Sequence, residues 1–85
     1  MPFTDSEMKQ ILAALRGGKT VTTTLHGGRY VTTYAWRDEG WVLDCFEEGV
    51  SSIVRLDEEK MRAEIAIADA RAFALLLPRK PGSGA

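Results

Sequence analysis

The sequence predicts a two-layer α+β domain: a four-stranded antiparallel meander with an N-terminal and a C-terminal helix on one face, in the order α-β-β-β-β-α. Three observations carry this. An apolar stripe of helical period opens the chain, a long stretch of period two follows with three turn signals inside it, and a second helical stripe closes it.

The first helix is expected over Asp5 to Arg16. Thr4 and Glu7 have the spacing of a capping box, Phe3 can staple onto Met8, and Met8, Ile11, Leu12 and Leu15 fall on one face. Gly17 and Gly18 permit a C-terminal stop.

From Thr20 the period changes to two, in a β-branched run characteristic of strands. A two-residue turn at Gly27-Gly28 pairs Leu25 with Tyr30, a turn at Asp38-Glu39 sets Trp36 opposite Trp41, and one at Glu48-Gly49 leads into a fourth strand ending at Leu56. All three turns place the same set on one inner face: Val21, Leu25, Tyr30, Tyr34, Trp36, Trp41, Leu43, Cys45, Val50, Val54 and Leu56. A slip of one residue in any pairing would send that strand's apolar set to the other side, so the agreement of three turns fixes the register.

Asp57 is an N-cap, with Glu58 and Glu59 in the first turn of a second helix, whose Met61, Ile65, Ala68, Ala72 and Leu75 form its stripe and which Pro78 ends. Met61, Ala63, Ile65 and Ile67 also alternate as a fifth strand would. The helix is preferred because Glu, Lys, Met, Arg and Ala are helix formers and Asp57 to Lys60 offers no Gly or Asn for a hairpin turn. A break near 67–69 fits either reading. Residues 1–78 are expected to form the single domain and 79–85 a flexible tail.

With 85 residues there is room for one core, and 45% apolar with 27% charged residues is an ordinary globular balance. A net charge of -1 supplies no field to hold a polyanion or a bilayer, which argues against nucleic acid and membrane partners. One cysteine in so small a chain points to a reducing, cytoplasmic setting.

No pattern supplies catalytic residues, a metal-ligand set or a cofactor motif, so neither enzyme nor cofactor is expected. Cys45 and His26 are the one nucleophile and base of the cysteine-histidine type, but the register sends the thiol to the inner face and the imidazole to a hairpin tip. His26-Gly27-Gly28-Arg29 has the composition of an anion cradle, yet it joins two antiparallel strands, and hairpin geometry accounts for its glycines.

What remains is surface. The outer face carries Val31 opposite Phe46, Ala35 opposite Val42, and Ile53 on the next strand, rimmed by Arg37, Arg55 and hydroxyls. An apolar centre inside a polar rim is the anatomy of a protein interface. Val31, Val42, Phe46, Ile53, Arg37 and Arg55 are therefore the expected partner-binding residues of an interaction or regulatory module, engaging a protein partner or a second copy of itself. The alternative is a single-stranded nucleic-acid binder stacking bases on Tyr30, Tyr34, Trp36 and Trp41.

Overall fold

The computed structural model describes residues 3–77. Helix α1 spans Asp5–Arg16 and is followed by β1 (Val21–Leu25), β2 (Tyr30–Arg37), β3 (Gly40–Glu47) and β4 (Val50–Leu56), then by two short helices, α2 (Glu58–Ile67) and α3 (Ala70–Ala74). The strands form one open antiparallel sheet in the order β1-β2-β3-β4.

The capping box of α1 is formed: the amide of Glu7 donates to Thr4 Oγ1 over 3.1 Å and the amide of Thr4 donates to Glu7 Oε1 over 2.9 Å. Phe3 and Met8 are both buried in the core, as a staple requires. Met8, Ile11, Leu12 and Leu15 bury the stripe of α1.

The register is the expected one on every strand. Leu25 pairs with Tyr30, Trp36 with Trp41, Tyr34 with Leu43 and Glu47 with Val50. Two of the turns are tight two-residue loops with positive φ, at Asp38 (52°) and Glu39 (59°) and at Glu48 (47°) and Gly49 (88°), the primed geometry that matches strand twist. The first connection differs. A short 3-10 turn over His26–Gly28 and then Arg29 link β1 to β2, so four residues bridge the pair where two were expected, with no effect on register.

The C-terminal region is helical, not a fifth strand, and it breaks in two. Asp57 caps α2 by accepting the Lys60 amide over 2.8 Å. Ala68 is extended (φ -81°, ψ 176°), and Asp69 caps α3 by accepting the Arg71 amide over 3.0 Å. The single stripe ending in Leu75 is therefore corrected: Leu75 is 86% exposed, and Phe73 is the fully buried residue of α3. Restarting the helix at Asp69 turns Phe73 inward. In an unbroken helix it would lie about 80° away from Ile65 around the axis. Pro78 and the expected tail 79–85 lie outside the described residues.

The helices cover only one half of the inner face. Val21, Tyr34, Trp41 and Leu43 are buried beneath them, with Trp36, Cys45 and Leu56 packed at the margin. Toward the other end of the sheet Leu25 and Val50 are exposed, and Val54, in the covered row of Tyr34 and Leu43 but on the edge strand, is exposed as well, against the expectation that the whole inner set is core. Splitting the second helix shortens its reach along the strands.

At the covered end Arg16 closes the core. Its guanidinium lies 4.9 Å from the ring centroid of Trp36 and 5.2 Å from that of Trp41, and Nη2 pairs with Glu58 Oε1 over 2.8 Å. A cation in the last turn of α1 and an anion in the first turn of α2 each suit their own helix dipole, so one ion pair also ties the two helix ends together.

Candidate functional site

On the outer face the register arranges side chains in rows across β1 to β4. One row holds Ala35, Val42 and Arg55; the next holds Thr22, Thr33, Asp44 and Ile53; the one beyond holds Thr24, Val31, Phe46 and Ser51. Phe46 is 39% exposed and Ile53 is 64% exposed, and they are diagonal neighbours on adjacent strands, with Val31 half-buried opposite Phe46.

Val42 does not belong to that exposed patch. It is only 2% exposed, and Ala35 beside it is buried as well, although no helix lies on this side. A neighbouring arginine explains the burial. Arg37 sits one row before the Ala35–Val42 pair and its Nη1 reaches Asp44 Oδ2, one row after it, over 3.4 Å, so the side chain runs across the pair. Arg55, beside Val42, swings toward the β2–β3 turn, where its Nη2 meets Asp38 Oδ2 over 3.4 Å.

Gly40 makes the second path available. A Cβ at that position would lie 2.7 Å from Arg55 Nη1, so the bare glycine backbone leaves the space that the guanidinium occupies. Val42 is thus the floor of the surface rather than a contact residue, crossed by Arg37, while Arg55 turns aside toward Asp38. The opposite charges of Arg37 and Asp44, on the same face of adjacent strands, are a legible signal for this arrangement. Alternation tells which face a long side chain leaves from, but not what it lies over. Thr22 and Thr33 hydroxyls, 3.2 Å apart, complete the polar border on the β1 side.

The aromatic residues are mostly engaged inside. Tyr34 and Trp41 are buried, Trp36 meets Trp41 edge-on with centroids 4.7 Å apart, and Trp36 lies under Arg16. Tyr30 alone is near the open half of the inner face, with its hydroxyl donating to Glu48 Oε1 over 3.3 Å and its ring edge-on to His26 at 5.4 Å.

Cys45 and His26 stay apart. Cys45 lies in the row of Thr32 and Thr23, whereas His26 lies beyond the Leu25–Tyr30 pair at the hairpin tip. Burial, with the Glu47 charge beside it, pushes the Cys45 thiol above its ordinary value, which disfavours the thiolate a nucleophile needs. Among the described residues there is no group of three or more His, Cys, Asp or Glu that could hold a metal ion, and no helix long and apolar enough to cross a membrane.

The residue signals missed in the sequence are Leu25, Val50 and Val54, which alternation assigns to the core; Leu25 and Val50 lie instead at the uncovered end of the inner face and Val54 on its edge strand. No known protein family, curated protein or solved structure matches the chain.

Proposed function

We propose that this protein is an interaction module that docks a protein surface, a partner or a second copy, on the outer face of its sheet. The observation that carries the reading is the pair Phe46 and Ile53, exposed side by side in the rows next to a floor of buried Ala35 and Val42. An exposed Phe next to Ile, with Val31 beside it, presents desolvatable area. The ion-paired Arg37, Asp44, Arg55 and Asp38 supply a rim of fixed charge. Because that floor is already packed, a partner meets a preformed surface and little ordering cost is left for binding.

Use of the sheet aromatics on single-stranded nucleic acid draws less support, since Tyr34 and Trp41 are committed to the core. Phe46→Glu tests the docking reading. It should leave the far-ultraviolet circular dichroism unchanged while abolishing association. A variant that associates as the parent does removes Phe46 from the interface.

A further inference from the structure

The edge of β4, unpaired among the described residues, carries a second, more specific surface. β4 is the outermost strand of the sheet on its side, seven residues long, and every residue in it except Leu56 is exposed. It lacks the devices that blunt a natural edge: it contains no Pro, no Lys and no Gly, and its pairing to β3 runs without a bulge from Trp41–Leu56 to Glu47–Val50. Its one charged residue, Arg55, is drawn back over the sheet toward Asp38, away from the edge. The opposite edge, β1, has five residues, and its Thr23, Thr24 and Leu25 share a cleft with Ile67 of α2 and with Ala68 and Asp69 of the α2–α3 link.

The hydrogen-bond phase of the sheet shows which groups of β4 are free. The amide of Glu48 donates to the carbonyl of Arg29 over 3.0 Å, which places the even-numbered residues of β3 in bonded pairs with β2. The odd-numbered residues Trp41, Leu43, Cys45 and Glu47 therefore bond to β4, through Leu56, Val54, Ser52 and Val50. Ser51, Ile53 and Arg55 aim their N–H and C=O groups outward.

We propose that β4 pairs antiparallel with β4 of a second copy, about a two-fold axis normal to the sheet and midway between the two Ile53 residues, to make one continuous sheet. The register supports this occupant. Residues opposite one another in an antiparallel pair share a face, so a two-fold axis must set one residue opposite its own copy. Centred on Ile53, it sets Ile53 against Ile53 and Ser51 against Arg55 on the outer face, and Val50 against Leu56 and Ser52 against Val54 on the inner face. All three outward-facing residues then exchange both backbone bonds with a partner, which a centre on Ser52 or Val54 does not achieve. No like charges stand opposite in any pair. The exposed Val50, Ile53 and Val54 gain neighbours they otherwise lack.

This inference rests on reading the chain as an interaction module, but not on the outer face as the contact. Sedimentation velocity of the full chain over a concentration series should show a dimer. Ser51→Pro removes an outward N–H and leaves the apolar patch intact. It should raise the dissociation constant at least about tenfold, from the loss of one bond per copy. In a Cys45→Ser background, Ile53→Cys should cross-link on mild oxidation, since bonded pairs have Cα atoms about 5.5 Å apart, within disulfide reach. Ser51→Cys in that background should not, because its partner is Arg55. If Ser51→Pro fails to fold, the two cysteine variants decide the matter. A chain that is monomeric throughout, or cross-linking by Ser51→Cys alone, overturns the edge dimer. A dimer lost in Phe46→Glu but kept in Ser51→Pro also overturns it and supports the outer face; the reverse pattern supports the edge and removes the outer face from self-association.

Discussion

Phe73 of α3 meets Tyr34 of β2 edge-on, with ring centroids 4.8 Å apart and an interplanar angle of 79°. This contact fastens the last helix to the centre of the sheet. Phe73 is fully buried, whereas Leu75, two residues on, is almost fully exposed. Phe73→Ala should therefore cost about 3–5 kcal/mol, from lost burial, a residual cavity and the aromatic pair. Native proteins have roughly 5–15 kcal/mol in all, so this variant should lose a large share of its stability. Leu75→Ala should stay within about 0.5 kcal/mol. Urea titration of the two variants checks the contrast, and equal midpoints would mean that α3 is not docked through Phe73.

Arg16 stands over the Trp36–Trp41 pair and also holds Glu58. Its side chain is half exposed, so each contact is worth less than in a dry interior. Arg16→Ala should lower stability by about 1 kcal/mol and change the near-ultraviolet circular dichroism of the tryptophans. Arg16→Lys keeps the charge but not the flat stacking surface, so it should restore only part of the loss. A lysine variant indistinguishable from the parent would show that the ion pair, not the stacking, matters there.

Arg37 covers apolar floor rather than merely pairing with Asp44. An exposed pair contributes about 0–1 kcal/mol, so stability lost in Arg37→Ala should come mainly from the lost cover and not from the ion pair. The substitution should uncover Val42 and Ala35, and the binding of a fluorescent apolar dye should rise relative to the parent. Dye binding that does not rise would mean that other side chains do the covering.

Two acids are held neutral by burial. The Cys45 thiol is pushed above its ordinary value of 9.0 by burial and then by Glu47, and the Tyr34 phenol above 10.0 by burial foremost. In the unfolded chain both release their protons earlier than in the folded one. Stability is therefore fully present below the ordinary thiol value, falls as pH rises through the folded thiol's higher value, and falls again above the ordinary phenol value. Denaturant melts between about pH 8 and about pH 11 should show both declines. Cys45→Ala should remove the first and keep the second; a variant that still weakens over the first interval would show that Cys45 is not its source.

The sheet was legible because its determinants are local. Asp38-Glu39 and Glu48-Gly49 set two tight turns, and the alternation of Val21 to Leu56 allowed one register, which the pairs Trp36–Trp41 and Tyr34–Leu43 show. The capping box of Thr4 and Glu7 likewise needs only residues three apart. The candidate site was legible in part. Phe46 and Ile53 stand exposed where alternation puts them, while Val42 is hidden by side chains that cross from neighbouring rows.

The sequence by itself determined the helix caps, the strand register and the two faces of the sheet, because capping, turn geometry and period-two alternation act between residues that are near in the chain or paired by a short turn. Tertiary structure decided where the second helical stretch breaks, that Phe73 rather than Leu75 enters the core, how much of the inner face is covered, and that Arg37 lies over Val42 while Arg55 turns toward Asp38. Those outcomes depend on which surfaces compete for the same space once the layers meet, and no spacing along the chain encodes that competition.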